Sequence, residues 1–354
     1  MASYNRLNPE DIAISTDKVV TNTWSGDTNM LTTMYTASTT TAFTSATSQG
    51  NFFINVYGQN LVGGGAGTTA TTASVQFSVG YGEKNGSGSE HFTATSGALG
   101  NTATKCVYNQ YRQLVFGDES SNFSFNGYES PDIWVVNVNR SRYKHALKAG
   151  SLNLRLKHSS GYLDFTDDSK TTTGSATISN IGRQFNLVSG SDGIRSGSLL
   201  NQTTAGSGSY GFFYPDAGVI VFNGEALRNI NKTTFAGGAS YTTQKLGQTL
   251  LDAMSGSITS PAGLGFEVDS EEKVSSQYMF VRVKNGEYNY SSNPSYIDVN
   301  GNLNNSTFAD SPTSYITTVG LYNDDNNLLA VAKLSQPLKK DFTTEALIRV
   351  KLDY

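Results

Sequence analysis

Apolar and polar residues alternate in period two along much of this 354-residue chain, the pattern of strands with one covered face. Residues 74–81, 151–157, 276–284 and 345–352 alternate most regularly. Residues 133–138 are apolar except for Asn137, as in a central strand covered on both faces. Residues 51–57, 161–166, 176–189 and 210–222 supply further strands, the last one interrupted by a turn at Pro215-Asp216-Ala217-Gly218. Residues 151–157 and 161–166 pair across His158-Ser159-Ser160. Residues 315–323 and 328–334 flank Asp324-Asp325-Asn326-Asn327, residue types that tolerate positive φ and close a hairpin. With 345–352 these predict a three-stranded antiparallel meander, with Ile348, Val350 and Leu352 facing Val319, Leu321, Leu329 and Val331, and Arg349 and Lys351 turned away.

Helical spacing is scarce. Leu246, Leu250, Leu251 and Met254 form the one clear stripe, ended by Gly256. A second short helix is predicted over 139–149, with Asn139 as N-cap, Tyr143 and Leu147 four apart, and Gly150 as its stop. Residues 105–116 mix apolar and polar positions without a dominant period. The first 25 residues read as an extended arm in which 11–15 alternate, with 18–24 pairing there or on a neighbouring subunit; a Thr/Ser/Ala tract follows over 32–48. Residues 63–72 and 82–100 are loops. The expected fold is mainly β: antiparallel, sandwich-like sheets with a few short helices, long loops and an extended N-terminal arm. Its expected division is 1–48 (arm and Thr/Ser-rich segment), 49–270 (β-rich central domain with short helices) and 271–354 (C-terminal meander packed with the central domain).

Composition adds to this picture. Charged residues make up 15% of the chain, against the roughly 25% usual for soluble domains, and Thr, Ser, Asn, Gly, Tyr and Phe are abundant. The net charge of −4 argues against nucleic acid as a partner, since phosphate binding needs a basic field; Arg140, Arg142 and Lys144 read more simply as a solvated helix face. No apolar run approaches the ~20 residues of a membrane span, and Met1-Ala2-Ser3-Tyr4-Asn5-Arg6 carries no apolar signal core. An adhesin-like composition without an export signal suits a phage particle, whose proteins fold in the host cytoplasm and work outside; a mature fragment of a secreted protein would look the same. Cys106 has no partner for a disulfide and reads as a partly buried thiol.

Candidate chemistry is thin. His91, His145 and His158 show no metal-ligand spacing. Asp167-Asp168 is a candidate for calcium or glycoside hydrolysis, but a turn accounts for it more simply; Asp324-Asp325-Asn326 is likewise a turn. No nucleophile elbow, phosphate loop or dinucleotide fingerprint occurs. No catalytic residue, metal or cofactor is expected, and the chain does not read as an enzyme. Tyr288, Tyr290 and Tyr296 lie in a polar loop, either as anchors for a protein or sugar partner or as a lid packed over the end of a sheet. Ile12, Ile14 and Trp24 in the arm are the other expected partner contacts.

Two C-terminal stretches carry a resemblance. One is Val281-Arg282-Val283-Lys284-Asn285-Gly286-Glu287-Tyr288-Asn289-Tyr290 with Asn293-Pro294-Ser295-Tyr296. The other is Val319-Gly320-Leu321-Tyr322-Asn323 with Leu328-Leu329-Ala330-Val331-Ala332-Lys333-Leu334. Together they resemble virion structural proteins of contractile-tailed phages, especially T4-like cyanophages and their marine relatives, some described as baseplate wedge components. The second stretch is also similar to a hairpin in the baseplate-attaching part of some tail fibres. The resemblance implies a virion subunit of the tail or baseplate, in several copies, touching other virion proteins and itself through arms and loops. A receptor- or polysaccharide-binding module of a tail fibre, and a neck or head–tail connector, are the alternatives; a sugar site would show an aromatic platform with carboxylates in a concave pocket.

Overall fold

A computed structural model describes residues 4–36, 53–58, 73–88, 103–171, 176–196, 209–231, 234–235, 243–258 and 265–353. The predicted loop 63–72, most of the Thr/Ser/Ala tract, much of the loop 82–100, His91 and the side chain of Leu246 lie outside them. The chain is mainly β, with large antiparallel sheets, one curled into a half-barrel, and short helices. Two compact units divide it: Val19–Glu272, and Met1–Lys18 together with Lys273–Tyr354. The sequence had suggested cuts at 48/49 and 270/271.

In the unit Val19–Glu272, the spatial strand order of the large sheet begins with Met30–Leu31, Phe266–Glu267, Asn153–His158, Gly161–Asp167, Gly182–Ser191 and Gly211–Tyr214. It continues with Val219–Asn223, Asp132–Val138, Val75–Glu83, Phe53–Tyr57 and Tyr35–Thr36. Asp132–Val138 is central, as its composition predicts, pairing with Val219–Asn223 on one side and Val75–Glu83 on the other. Its alternate residues feed two cores. Trp134, Val136 and Val138 join Phe77, Val79, Tyr81, Ile220 and Phe222 on one face. Ile133 and Val135 join Phe212, Tyr214, Val219 and Val221 on the other.

A helix covers each face. Thr243–Ile258 sets Leu250, Leu251, Ala253 and Met254 into the first core. It runs through Gly256, the predicted stop, to Ile258; a Cβ at 256 would meet only the exposed, flexible Lys157 side chain, with Cδ at 3.0 Å, so this glycine does not end the helix. Ala103–Phe116, where no element was predicted, covers the other face with Thr104, Val107, Tyr108, Tyr111 and Val115, spaced three and four apart. Its backbone sits directly on the sheet because position 82 is glycine; a Cβ there would lie 2.7 Å from the Tyr108 nitrogen. Cys106 is exposed on this helix, not partly buried as expected.

The helix predicted over 139–149 is absent. Asn139 does cap, accepting from the Ser141 N–H at 3.0 Å, but only a single 3-10 turn, Arg140–Arg142, follows. The donors a helix would use internally are claimed elsewhere: His145 N–H by Glu271 O (3.1 Å), Leu147 N–H by Pro215 O (2.9 Å) and Lys148 N–H by Asp269 O (2.8 Å). Ala146–Leu147 becomes a short strand against Ser270 and Glu271. Arg140 lies over the Tyr143 ring, its guanidinium carbon 4.7 Å from the ring centroid. The basic stretch is therefore not a helix face, although Arg140 and Lys144 are exposed as expected. Among the described residues no helix is long and apolar enough to cross a membrane.

In the other unit, the last strands do not form the predicted meander. Ala346–Asp353 pairs antiparallel with Asp269–Val283, setting Ile348 against Val281 and Val350 against Met279. Ser314–Tyr322 and Leu328–Lys340 form a two-stranded ribbon of their own. The two layers share one small core: Leu321, Ile348 and Val350 at its centre, with Met279, Val281, Val319, Ala330, Ala332 and Leu334 around them. Face-to-face stacking lets both layers bury one apolar face, which a single flat meander would leave wet.

Ile348 is buried in this core and Arg349 exposed with its guanidinium carbon 5.6 Å from the Tyr278 ring centroid. Ile348→Ala is therefore expected to cost about 2–5 kcal/mol. Arg349→Ala should stay within about 0.5 kcal/mol in the same thermal melts. Equal, negligible effects would show that this strand has no core to lose.

Candidate functional site

Among the described residues, the ribbon of the C-terminal unit is the clearest candidate for an interaction surface. Alternation turns Val319, Leu321, Ala330, Ala332 and Leu334 inward. It leaves Leu329 68% and Val331 57% exposed, and a register irregularity between Ile316 and Thr318 turns Tyr315 outward, 62% exposed. The sequence reading had placed Leu329 and Val331 inside. A register shift between Leu321 and Tyr322, beside the turn, moves the alanines in and the larger side chains out. Asn326, at φ 62°, bends the chain back in that turn.

Tyr322 and Leu328 stand across from each other and fold over Gly320, where a Cβ would meet Tyr322 Cε2 at 3.0 Å. The Tyr4 ring packs on Tyr322 at 5.0 Å. Neither long edge of the ribbon has a strand partner among the described residues. Lysines and proline commonly blunt such edges. Here the exposed Lys333 lies within the ribbon, Pro337 and Lys339 lie toward the end far from the turn, and Pro337 sits where the strand register shifts.

That far end is tied down by a buried cation. Lys340 is fully enclosed, and its Nζ donates to Asn285 O, Asn289 Oδ1 and Asp341 O, each at 2.8 Å. Ser314 Oγ donates to Tyr288 O, and the N-terminal segment joins through Asn5 Nδ2, which donates to Glu287 Oε2 at 3.1 Å. Burial pushes the Tyr288 hydroxyl pKa up; Glu287 adds to that, while a bond from the Asn5 backbone opposes it.

The three loop tyrosines do not make one platform. Tyr288 and Tyr290 are exposed, but Tyr296 is only 7% exposed, stacked on Phe308 at 4.7 Å and edge-on to Tyr290 at 5.6 Å. Tyr296 is buried within its own loop cluster, so its assignment as a partner contact is corrected. Trp24 is corrected too: it is 3% exposed, packed on Phe266 and Phe77 in the core of the other unit. Ile12 is half-buried and Ile14 is 69% exposed, both on the strand Ile12–Asn22. That strand has a place in the sheet with Asp269–Val283 and Ala346–Asp353, so this part of the predicted arm is an edge strand among the described strands of its own chain.

The buried carboxylates hold the fold together. Asp167 accepts from Gly150 N–H at 2.8 Å and Ser169 N–H at 3.0 Å, and burial pushes its carboxyl up against those bonds. Asp168 accepts from Asn186 N–H and Nδ2 at 2.9 and 2.8 Å. Asp132 accepts from Tyr81 OH at 2.9 Å and is gripped by both terminal nitrogens of Arg228. Among the described residues no group of three or more His, Cys, Asp or Glu is placed to hold a metal ion.

Sequence reasoning missed Tyr315 and the outward Leu329 and Val331. The adjacent Leu328 and Leu329 were the one signal, since two leucines in a row break a strict alternation. No family model, curated protein or solved structure matches this chain.

Proposed function

We propose that this chain is a structural subunit of a tailed-phage virion, in its tail or baseplate, docked on other virion proteins and on copies of itself through the C-terminal ribbon. The observation that carries this reading is the exposure of Tyr315, Leu329 and Val331 on a ribbon with two open edges. Removing such surface from water is worth roughly 25 cal/mol per Å², and an open edge accepts a further strand by main-chain hydrogen bonds. The resemblance of residues 317–335 to virion proteins falls on this same ribbon. The reading requires no chemistry from the chain.

The sugar-binding alternative at the tyrosine loop is the weaker one, because Tyr296 faces inward and leaves Tyr288 and Tyr290 without a shared platform.

Purified tailed particles, analysed by mass spectrometry, are expected to contain the chain. Leu329→Asp with Val331→Asp should shift its stability by no more than about 1 kcal/mol in total, two surface changes at about 0.5 each, while blocking its incorporation. A chain absent from purified particles, or a double variant incorporated as well as the parent, overturns the proposal.

A further inference from the structure

A second surface, in the unit Val19–Glu272, has a different chemistry. Gly161–Asp167, Gly182–Ser191 and the short strand Ile194–Arg195 frame a shallow depression of about 510 Å³. Tyr162, Asp164, Ser191, Asp192, Arg195 and Ser196 are among its lining residues. Its floor is set by register. Gly190 stands across from Arg195, one position beyond the Phe165–Ser189 pair, so no side chain rises between Asp164 and Arg195. The floor has to stay bare: a Cβ at 190 would lie 2.1 Å from Ile194 O.

The walls are pre-organised. The turn Asp192-Gly193, with φ of 54° and 76°, closes the hairpin. Asp192 Oδ1 accepts from Asn153 Nδ2 at 2.8 Å, the Asp192 N–H donates to Asn153 Oδ1 at 2.7 Å, and the Gly193 N–H donates to Thr166 Oγ1 at 2.8 Å. Across the floor, Arg155 holds Asp164 through two bonds of 2.5 and 2.9 Å, and its guanidinium carbon lies 5.8 Å from the Tyr162 ring centroid.

Arg195 has no carboxylate partner among the described residues, and its covered Nε has no acceptor. An unpaired planar donor fork, a carboxylate with spare acceptor positions, serine hydroxyls and a half-exposed tyrosine ring thus converge on one open floor. A guanidinium and a carboxylate together match the paired donors and acceptors of neighbouring hydroxyls, and an aromatic face matches the C–H face of a sugar ring.

We propose that this depression binds a saccharide through vicinal hydroxyls, with Tyr162 against the ring, Arg195 donating and Asp192 accepting. The site is independent of the ribbon, so this inference and the assembly reading fail separately. The test is binding of the full chain to a printed array of bacterial-surface glycans, followed by calorimetry with the best uncharged oligosaccharide found. Arg195→Gln and Tyr162→Ala are each expected to weaken binding at least about tenfold, the loss of one good polar or aromatic contact. Ile194→Asp, at an exposed position on the rim, should weaken it as well, and thermal melts of all three should stay near that of the parent.

Should Tyr162→Ala melt early, Ile194→Asp and Arg195→Gln decide the outcome. Absence of binding to any glycan, affinity unchanged in those two variants, or displacement of the oligosaccharide by inorganic phosphate at equal concentration overturns the proposal.

Discussion

Replacing Arg228 by alanine is expected to destabilise the unit Val19–Glu272 by roughly 3–5 kcal/mol, because a buried charge is left without its partner. Asp132 is 2% exposed, and its carboxylate faces the Arg228 guanidinium, with Arg228 Nη2 at 2.7 Å from Oδ1. Glu225 Oε2 takes a further bond from Nη2 at 2.9 Å. Burial works against the arginine's charge, but Asp132 and Glu225 outweigh it and hold the guanidinium protonated. Tyr81 OH donates to the same aspartate, and the carboxylate fills the space beside Gly224, where a Cβ would lie 2.4 Å from it.

The network thus fastens the short helix Gly224–Ile230 to the start of the central strand. Urea unfolding measures the loss. Pairing Arg228→Met with Asp132→Leu should recover much of it, since no charge is then stranded. A loss below about 1 kcal/mol for Arg228→Ala would mean that water already reaches Asp132.

Trp24→Ala is expected to cost about 3–5 kcal/mol, the range for deleting a buried aromatic side chain. Its ring centroid lies 4.9 Å from that of Phe266 and 6.2 Å from that of Phe77. The segment around it is pinned: Trp24 N–H donates to Thr28 O at 2.9 Å, Ser25 N–H to Gln76 Oε1 at 3.0 Å, and Asn29 Nδ2 to Glu267 Oε1 at 2.8 Å. Ile14→Ala, on the exposed side of the neighbouring strand, should stay within about 0.5 kcal/mol. Near-ultraviolet dichroism during melting reports both. Equal, small effects would return Trp24 to the role of a partner contact, whereas the expected split means that removing the first 25 residues cuts into a core.

Some features were legible in the sequence but went unread. Asn126-Gly127 and Asp192-Gly193 are dipeptides suited to two-residue hairpin turns, and both close hairpins with positive φ at each residue. The helix Ala103–Phe116 had its stripe in Val107, Tyr108, Tyr111 and Val115, diluted by the β-branched and aromatic residues that also suit strands. The depression proposed to bind a saccharide had no local signal, since Tyr162 and Arg195 come to line it only through the pairing of separate strands.

By itself the sequence determined the strands, because period-two alternation is a property of neighbouring residues. Asp132–Val138, Gly161–Asp167 and Ala346–Asp353 fall where alternating or apolar runs had predicted strands, and Asp269–Val283 contains most of the predicted 276–284 but begins seven residues earlier. It also determined the mainly β character, through its Thr, Tyr, Phe and Gly content. Only the tertiary structure decided which strands pair and which face turns inward. Ala346–Asp353 offers the same Ile348/Val350 face to any alternating neighbour; it joins Asp269–Val283 because two stacked layers bury more apolar surface than one meander. A shift of one residue beside the ribbon's turn then exchanges Leu329 and Val331 for Ala330 and Ala332 on the inner face. Side chains alternate strictly, so that small shift reverses the face of every residue beyond it, and no local pattern records it.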